Sequence, residues 1–223
     1  MKPHQFKTQE NLSLRQRIFS DIRAAILSGH LKPGDKLREQ DISAQMSVSR
    51  GPLREALRDL EAIGLVVSQP YRETVVADVH LDEVVGLLIP IRLRLELFVL
   101  KQHRELLDDD LFSDLEQIVA DMRRAAEVED LLALVEADIR FHEAIVALDK
   151  TSYAQQIWLS IVNRLRLHFI KNTGVFSDLH RVPDEHQELI ETLRTYDEAT
   201  VAQVWESHIR DEDCLLCFRI NQD

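Results

Sequence analysis

The sequence predicts a mainly α protein in two modules: a small N-terminal one of three helices and a β-hairpin, and a larger all-helical C-terminal one. Three observations carry this. Apolar residues recur at helical spacing over most of the 223-residue chain, β-branched runs are confined to residues 65–77, and the charge balance reverses near residue 79. Residues 1–79 hold 12 Lys and Arg against 10 Asp and Glu, whereas residues 80–223 hold 15 against 29. The formal net charge of -12 therefore belongs to the second module and does not exclude a polyanionic partner for the first. The expected modules are residues 1–79 and 80–223, joined by a short linker near Val76–His80.

Residues 13–28 place Leu14, Ile18, Ile22, Ala25 and Ile26 on one helical face, and Gly29 then Pro33-Gly34 stop that helix. A shorter helix follows from Glu39 to Met46. Ser49 is a good N-cap for a third, whose apolar face is Leu53, Ala56, Leu57, Leu60 and Ile63 and which Gly64 ends. The period then becomes strand-like: Leu65-Val-Val-Ser-Gln and Thr74-Val-Val-Ala flank Pro70-Tyr-Arg-Glu as a hairpin. From His80 onward the pattern predicts helices over 81–104, 109–127, 130–148, 152–171, 184–195 and 197–217. Pro90 removes a hydrogen bond inside the first and should kink or divide it. The longest apolar stretch, Val84–Ile91, is too short to span a bilayer, and Met1-Lys-Pro-His-Gln-Phe begins no apolar signal core. Two cysteines fit a reducing compartment, so the expected location is cytoplasmic.

On the third helix Arg50, Arg54 and Arg58 recur at four-residue intervals and form one cationic edge. An exposed helix with ion pairs to Glu55, Asp59 and Glu61 would look the same. The order of elements favours another role. A short helix, a tight turn at Ser47-Val48, a helix opening on Ser-Arg and then a hairpin is the order of a winged helix-turn-helix, whose arginines suit phosphates and guanine edges. Ile26-Leu-Ser-Gly-His-Leu-Lys-Pro-Gly-Asp-Lys-Leu-Arg-Glu and Val48-Ser-Arg-Gly-Pro-Leu-Arg-Glu-Ala-Leu-Arg-Asp-Leu-Glu-Ala-Ile-Gly-Leu-Val resemble the DNA-binding domain of GntR-family bacterial transcription regulators. The resemblance implies that Ser49, Arg50 and Arg54 contact DNA, with Arg50 and Arg54 reading bases and Gly51 letting the backbone approach phosphate. Lys36 and Arg38 are candidate phosphate contacts or plain exposed cations. Two positions depart from the family: Gln40 where many members are basic, and Glu73 where the wing commonly has glycine. Arg72 is expected to offset that carboxylate.

In the acidic module Asp138 and His142 stand four apart on a predicted helix and share a face, His186 opens a later helix, and His208 lies in the last. One Asp and three His could form a site for zinc, nickel, manganese or iron, although any single helical histidine is more often unremarkable. Asp138-Ile-Arg-Phe-His142, Glu185-His186 and His208 resemble the FCD domain of the FadR subfamily. That resemblance implies a divalent metal ion on Asp138, His142, His186 and His208, with zinc favoured. Ile91-Arg-Leu-Arg-Leu-Glu resembles the subfamily's first sensing helix, with Arg92 facing an effector carboxylate and Arg94 the alternative if Pro90 rotates the helix. Cys214-x-x-Cys217 is expected to pack rather than bind metal. The combined expectation is a regulator, not an enzyme: a repressor that binds double-stranded operator DNA as a homodimer on an inverted repeat and answers to a small organic acid. Its rivals are a metal-free regulator sensing a larger acyl-type ligand, and a metal-dependent hydrolase, which lacks a companion base motif.

Overall fold

A computed structural model describes residues 13–68, 73–150, 153–171 and 178–210. The chain divides into two compact units, Met1–Ala77 and Asp78–Asp223.

The first unit is built on α1 (Leu14–Leu27), β1 (Lys36–Leu37), α2 (Glu39–Gln45), α3 (Arg50–Ala62), β2 (Val66–Ser68) and β3 (Thr74–Val76). Ser13 starts α1 through a capping box, its hydroxyl accepting from Gln16 N while the Gln16 side chain accepts from Ser13 N. Ile18, Ile22 and Ile26 of α1 are buried with Leu53, Ala56, Leu57 and Leu60 of α3, and an Arg15–Asp59 ion pair ties the exposed edges of these helices. Gly64 closes α3 at φ 74°, in the left-handed region that favours glycine. This lets Leu65 N reach Leu60 O and carries the fully buried Leu65 into the core. The sheet order is β1-β3-β2, both pairings antiparallel. The predicted hairpin thus has a third strand, whose two residues, Lys36 and Leu37, are too few to leave a periodic signal.

In the second unit, α4 (Leu81–Glu83) runs through a π-helical segment, Val84–Leu88, into α5 (Ile89–Gln102). Pro90 therefore acts at a different place from a simple kink: the turn before it widens, and Ile89 N donates to Val84 O five residues back. A 3-10 turn, Arg104–Leu106, leads to α6 (Asp109–Glu127), α7 (Leu131–Val146), α8 (Ala154–Lys171), α9 (Arg181–Thr195) and α10 (Glu198–Ile209). Asp108, Asp130 and Asp197 cap α6, α7 and α10, each carboxylate accepting a backbone N–H three residues on. Helix α7 packs against α5, α6 and α8, α9 against α6 and α10, and α10 against α5. Phe141, Trp158, Leu165, Leu189 and Trp205 are among the buried side chains of this core. Among the described residues no helix is long and apolar enough to cross a membrane.

Candidate metal centre and nucleic-acid face

The four side chains singled out in the acidic module meet inside the helical bundle. Asp138 and His142 come from successive turns of α7, His186 from α9 and His208 from the last turn of α10, and one ligand-capable atom of each lies within 4.8 Å of the others. His186 Nε2 is 3.2 Å and His142 Nε2 4.0 Å from Asp138 Oδ1, and His208 Nε2 is 3.3 Å from His142 Nε2. Phe141 packs edge-on to the His142 and His186 rings and forms part of the apolar wall.

The opposite ring nitrogens face acceptors. His142 Nδ1 is 2.7 Å from Glu96 Oε2, His186 Nδ1 donates to Val182 O at 2.8 Å, and His208 Nδ1 lies 3.5 Å from Glu185 Oε2. A carbonyl only accepts, so the His186 proton sits on Nδ1 and its Nε2 electron pair points at the Asp138 carboxylate. Two electron-rich atoms 3.2 Å apart require a proton or a cation between them. Asp138 Oδ2 is also buried and accepts no hydrogen bond. The donor set therefore fits a divalent cation of the N3O class, with the His142 and His186 rings oriented from behind and His208 facing Glu185 at a longer distance.

Electrostatics favour the metal-ready protonation states. Burial pushes His142 well below its ordinary value, and the Arg92 charge adds to this. Burial also lowers His208, against the raising effect of Glu185. For Asp138 burial acts upward, but nearby positive charge, that of Arg92 included, outweighs it and holds the carboxyl below the usual range. A neutral His142 and an ionised Asp138 are what a metal ligand set needs.

Arg92 turns inward and is buried, whereas Arg94 is exposed. Arg92 Nε donates to Glu96 Oε1 at 2.9 Å. The guanidinium lines a small cavity of about 20 Å³ with Ile89, Asp138, His168, Phe169 and His208. A second, larger and more open groove between α9 and α10 reaches His208 past Glu185 and Glu188.

In the first unit the N-terminus of α3 is exposed. Ser49 is its N-cap with extended backbone and no side-chain cap bond, Arg50 is the first helical residue, and a Cβ on Gly51 would meet nothing within 4 Å. Arg54 Nε donates to Glu39 of α2 at 2.8 and 2.9 Å. Lys36 and Arg38 both pair with Glu73, at 2.9 and 3.1 Å. The carboxylate that stood out in the wing thus answers two neighbouring cations. Arg72, Cys214 and Cys217 lie outside the described residues.

Comparison with known proteins bears on both units. Residues 14–76 match the bacterial regulatory proteins of the gntR family, and residues 88–211 match the FCD domain. The chain belongs to the GntR family of transcription regulators. Its pairing of domains agrees with the FadR subfamily. Among relatives, the gluconate operon transcriptional repressor of Bacillus subtilis (strain 168) is 28% identical over 192 residues, covering 84% of this chain and 78% of that protein. The HTH-type transcriptional repressor RspR of Escherichia coli (strain K12) is 25% identical, covering 89% and 86%. Among solved structures, a putative transcriptional regulator GntR from Rhodococcus sp. RHA1 superposes with a TM-score of 0.76 at 24% identity, covering 91% of this chain and 97% of that one. E. coli McbR/YncC gives the same TM-score at 18% identity, covering 94% and 99%, and likewise speaks for the fold. Because both domains are those of transcription regulators, this GntR-family protein is a regulator and not an enzyme.

Sequence reasoning missed the groups behind the histidines. Glu96 was signalled by its position one helical turn after Arg92, and Glu185 by standing next to His186. Trp205, three residues before His208, donates to Glu96 Oε2 at 2.7 Å.

Proposed function

We propose that this GntR-family regulator is a cytoplasmic repressor that binds an inverted-repeat operator as a homodimer and is controlled by a small organic acid at a metal-containing site in its FCD domain. The observation that carries the reading is the convergence of Asp138, His142, His186 and His208, with the His142 and His186 rings oriented by acceptors behind them. Zinc is the favoured ion, with nickel, manganese and iron as alternatives of the same ligand chemistry. The cation supplies Lewis acidity toward a carboxylate. Arg92 supplies a second positive charge in the same sheltered cavity, where such pairs are strong. A cavity of about 20 Å³ admits little more than an ion or a water, so an acid that pairs with Arg92 must shift the helices that line it, α5, α7, α8 and α10. Binding energy spent in that way favours one arrangement of helices over another, as ligand control requires.

Repression is supported by the names of the relatives from Bacillus subtilis and Escherichia coli. For DNA, Ser49, Arg50, Gly51 and Arg54 form the recognition end of α3, with Lys36, Arg38 and Arg72 as phosphate contacts. Dimerisation is supported by α5 and α8, which pack together and leave Phe98 and Leu159 more than half exposed. A dimer also matches the geometry of paired half-sites. The test combines elemental analysis of tag-free protein with mobility shifts on the gene's own upstream region. Wild type should carry about one divalent ion per chain, His186→Ala should lose it and the acid response while still binding DNA, and Arg50→Ala/Arg54→Ala should lose the DNA. Equal metal content in wild type and His186→Ala, or equal DNA binding by the arginine variant, would sink the corresponding half.

A further inference from the structure

We infer that Glu96 is the positioning residue of the metal centre, presetting His142 for a cation and tying Arg92 to the same carboxylate. The inference rests on the metal reading above. Glu96 is fully buried on α5 and receives groups from two other helices as well as its own. Its Oε2 accepts from Trp205 Nε1 of α10 at 2.7 Å and lies 2.7 Å from His142 Nδ1 of α7, while its Oε1 accepts from Arg92 Nε at 2.9 Å. Tryptophan and arginine can only donate, so this carboxylate is held as an acceptor on both oxygens. Opposite the Arg92 charge, an ionised Glu96 has His142 Nδ1 as its third donor, and the Nε2 electron pair is then directed at Asp138, His186 and His208. A ring protonated on Nε2 would instead aim an N–H at the point the ion must occupy.

The three histidines are not held alike. His186 is oriented by a main-chain carbonyl, which a side-chain substitution leaves in place. His208 faces the half-buried Glu185 at 3.5 Å, beyond a good hydrogen bond. Glu96 is thus the side chain through which a tightly oriented ligand can be loosened. Its other oxygen holds Arg92, which shares the small cavity with Asp138 and His208. An anion that draws Arg92 toward itself therefore acts on the same carboxylate that orients His142, and the two halves of the sensor share one anchor.

Cobalt(II) is a direct probe because its visible absorption reports ligand geometry as well as affinity. Glu96→Gln should raise the Co²⁺ dissociation constant about 10- to 100-fold and alter the visible bands, as loss of an orienting partner does. Trp205→Phe removes a donor but keeps the carboxylate, so its affinity should stay within about threefold of wild type. A second measurement needs no variant: ring nitrogen NMR of the metal-free wild type should find His142 protonated on Nδ1. Wild-type binding with an unchanged constant in Glu96→Gln, or an Nε2-protonated His142, would overturn the positioning role alone. Failure of the wild type to take up Co²⁺ would overturn the metal reading and this inference together.

Discussion

Glu73 is the residue whose surroundings change its meaning. As a bare carboxylate in the wing it would repel phosphate, but it sits against Lys36 and Arg38, whose hydrogen bonds and charges outweigh its desolvation and hold it below the ordinary carboxylate range. Such exposed pairs add little to stability. On the proposed reading their effect falls on DNA, since Lys36 and Arg38 would have to exchange Glu73 for phosphate oxygens. Arg54 stands in the same relation to Glu39. Replacing Glu73 by Gln should strengthen binding to random-sequence duplex and steepen the dependence of log affinity on log salt by roughly one unit. An unchanged slope in a salt series would show that neither cation meets the backbone.

Among the elements, α7 supplies two of the four proposed ligands and owes its start to Asp130, which accepts from Ala133 N at 3.0 Å. Asp130→Ala should cost about 1 kcal/mol of stability, seen as a lower urea midpoint. The Co²⁺ constant should not move, since Asp138 and His142 lie two and three turns further on. A loss of affinity equal to the loss of stability would mean that the ligands depend on the helix start. The helices were legible because their apolar periodicity is strong: α6 begins and ends where spacing placed it, and α7 and α8 differ by a residue or two. Helix α9 begins three residues early, at Arg181, because Pro183 is tolerated in a first turn, where a missing N–H costs nothing. Two features were not legible. The strand β1 is two residues long, and its pairing with β3 is a long-range event that no local pattern encodes. The meeting of His186 and His208 with the Asp138–His142 pair joins three helices, so spacing within the chain offered one pair and only family resemblance offered the rest.

For the molecule as a whole, the charge is divided between the units: the one that matches the gntR family is mildly basic, and the one that matches the FCD domain carries the acidity. The same division applies to stability. A cation bound by the second unit stabilises that unit alone, by about 2.7 kcal/mol when free metal is 100 times its dissociation constant. Calorimetry with and without a chelator should therefore show an endotherm that moves down on metal removal, while unfolding of the first unit stays in place. Superimposable scans would show that no stabilising ion had been present.

The wide turn at Val84–Leu88 has a consequence for the phase of the helix that follows. A bond spanning five residues instead of four takes up one residue more than an ordinary turn, and each residue is worth about 100° of rotation about the axis. The faces of α4 and α5 are thus set by separate clocks. Whatever length that turn has, Arg92 and Glu96 keep step with each other, since both lie beyond it. A chain one residue shorter between Val84 and Leu88 could wind as plain α-helix and still present this pair inward, whereas a deletion between Arg92 and Glu96 would swing one of them toward solvent. The extra residue is confined to the stretch of this helix where register matters least to Arg92 and Glu96.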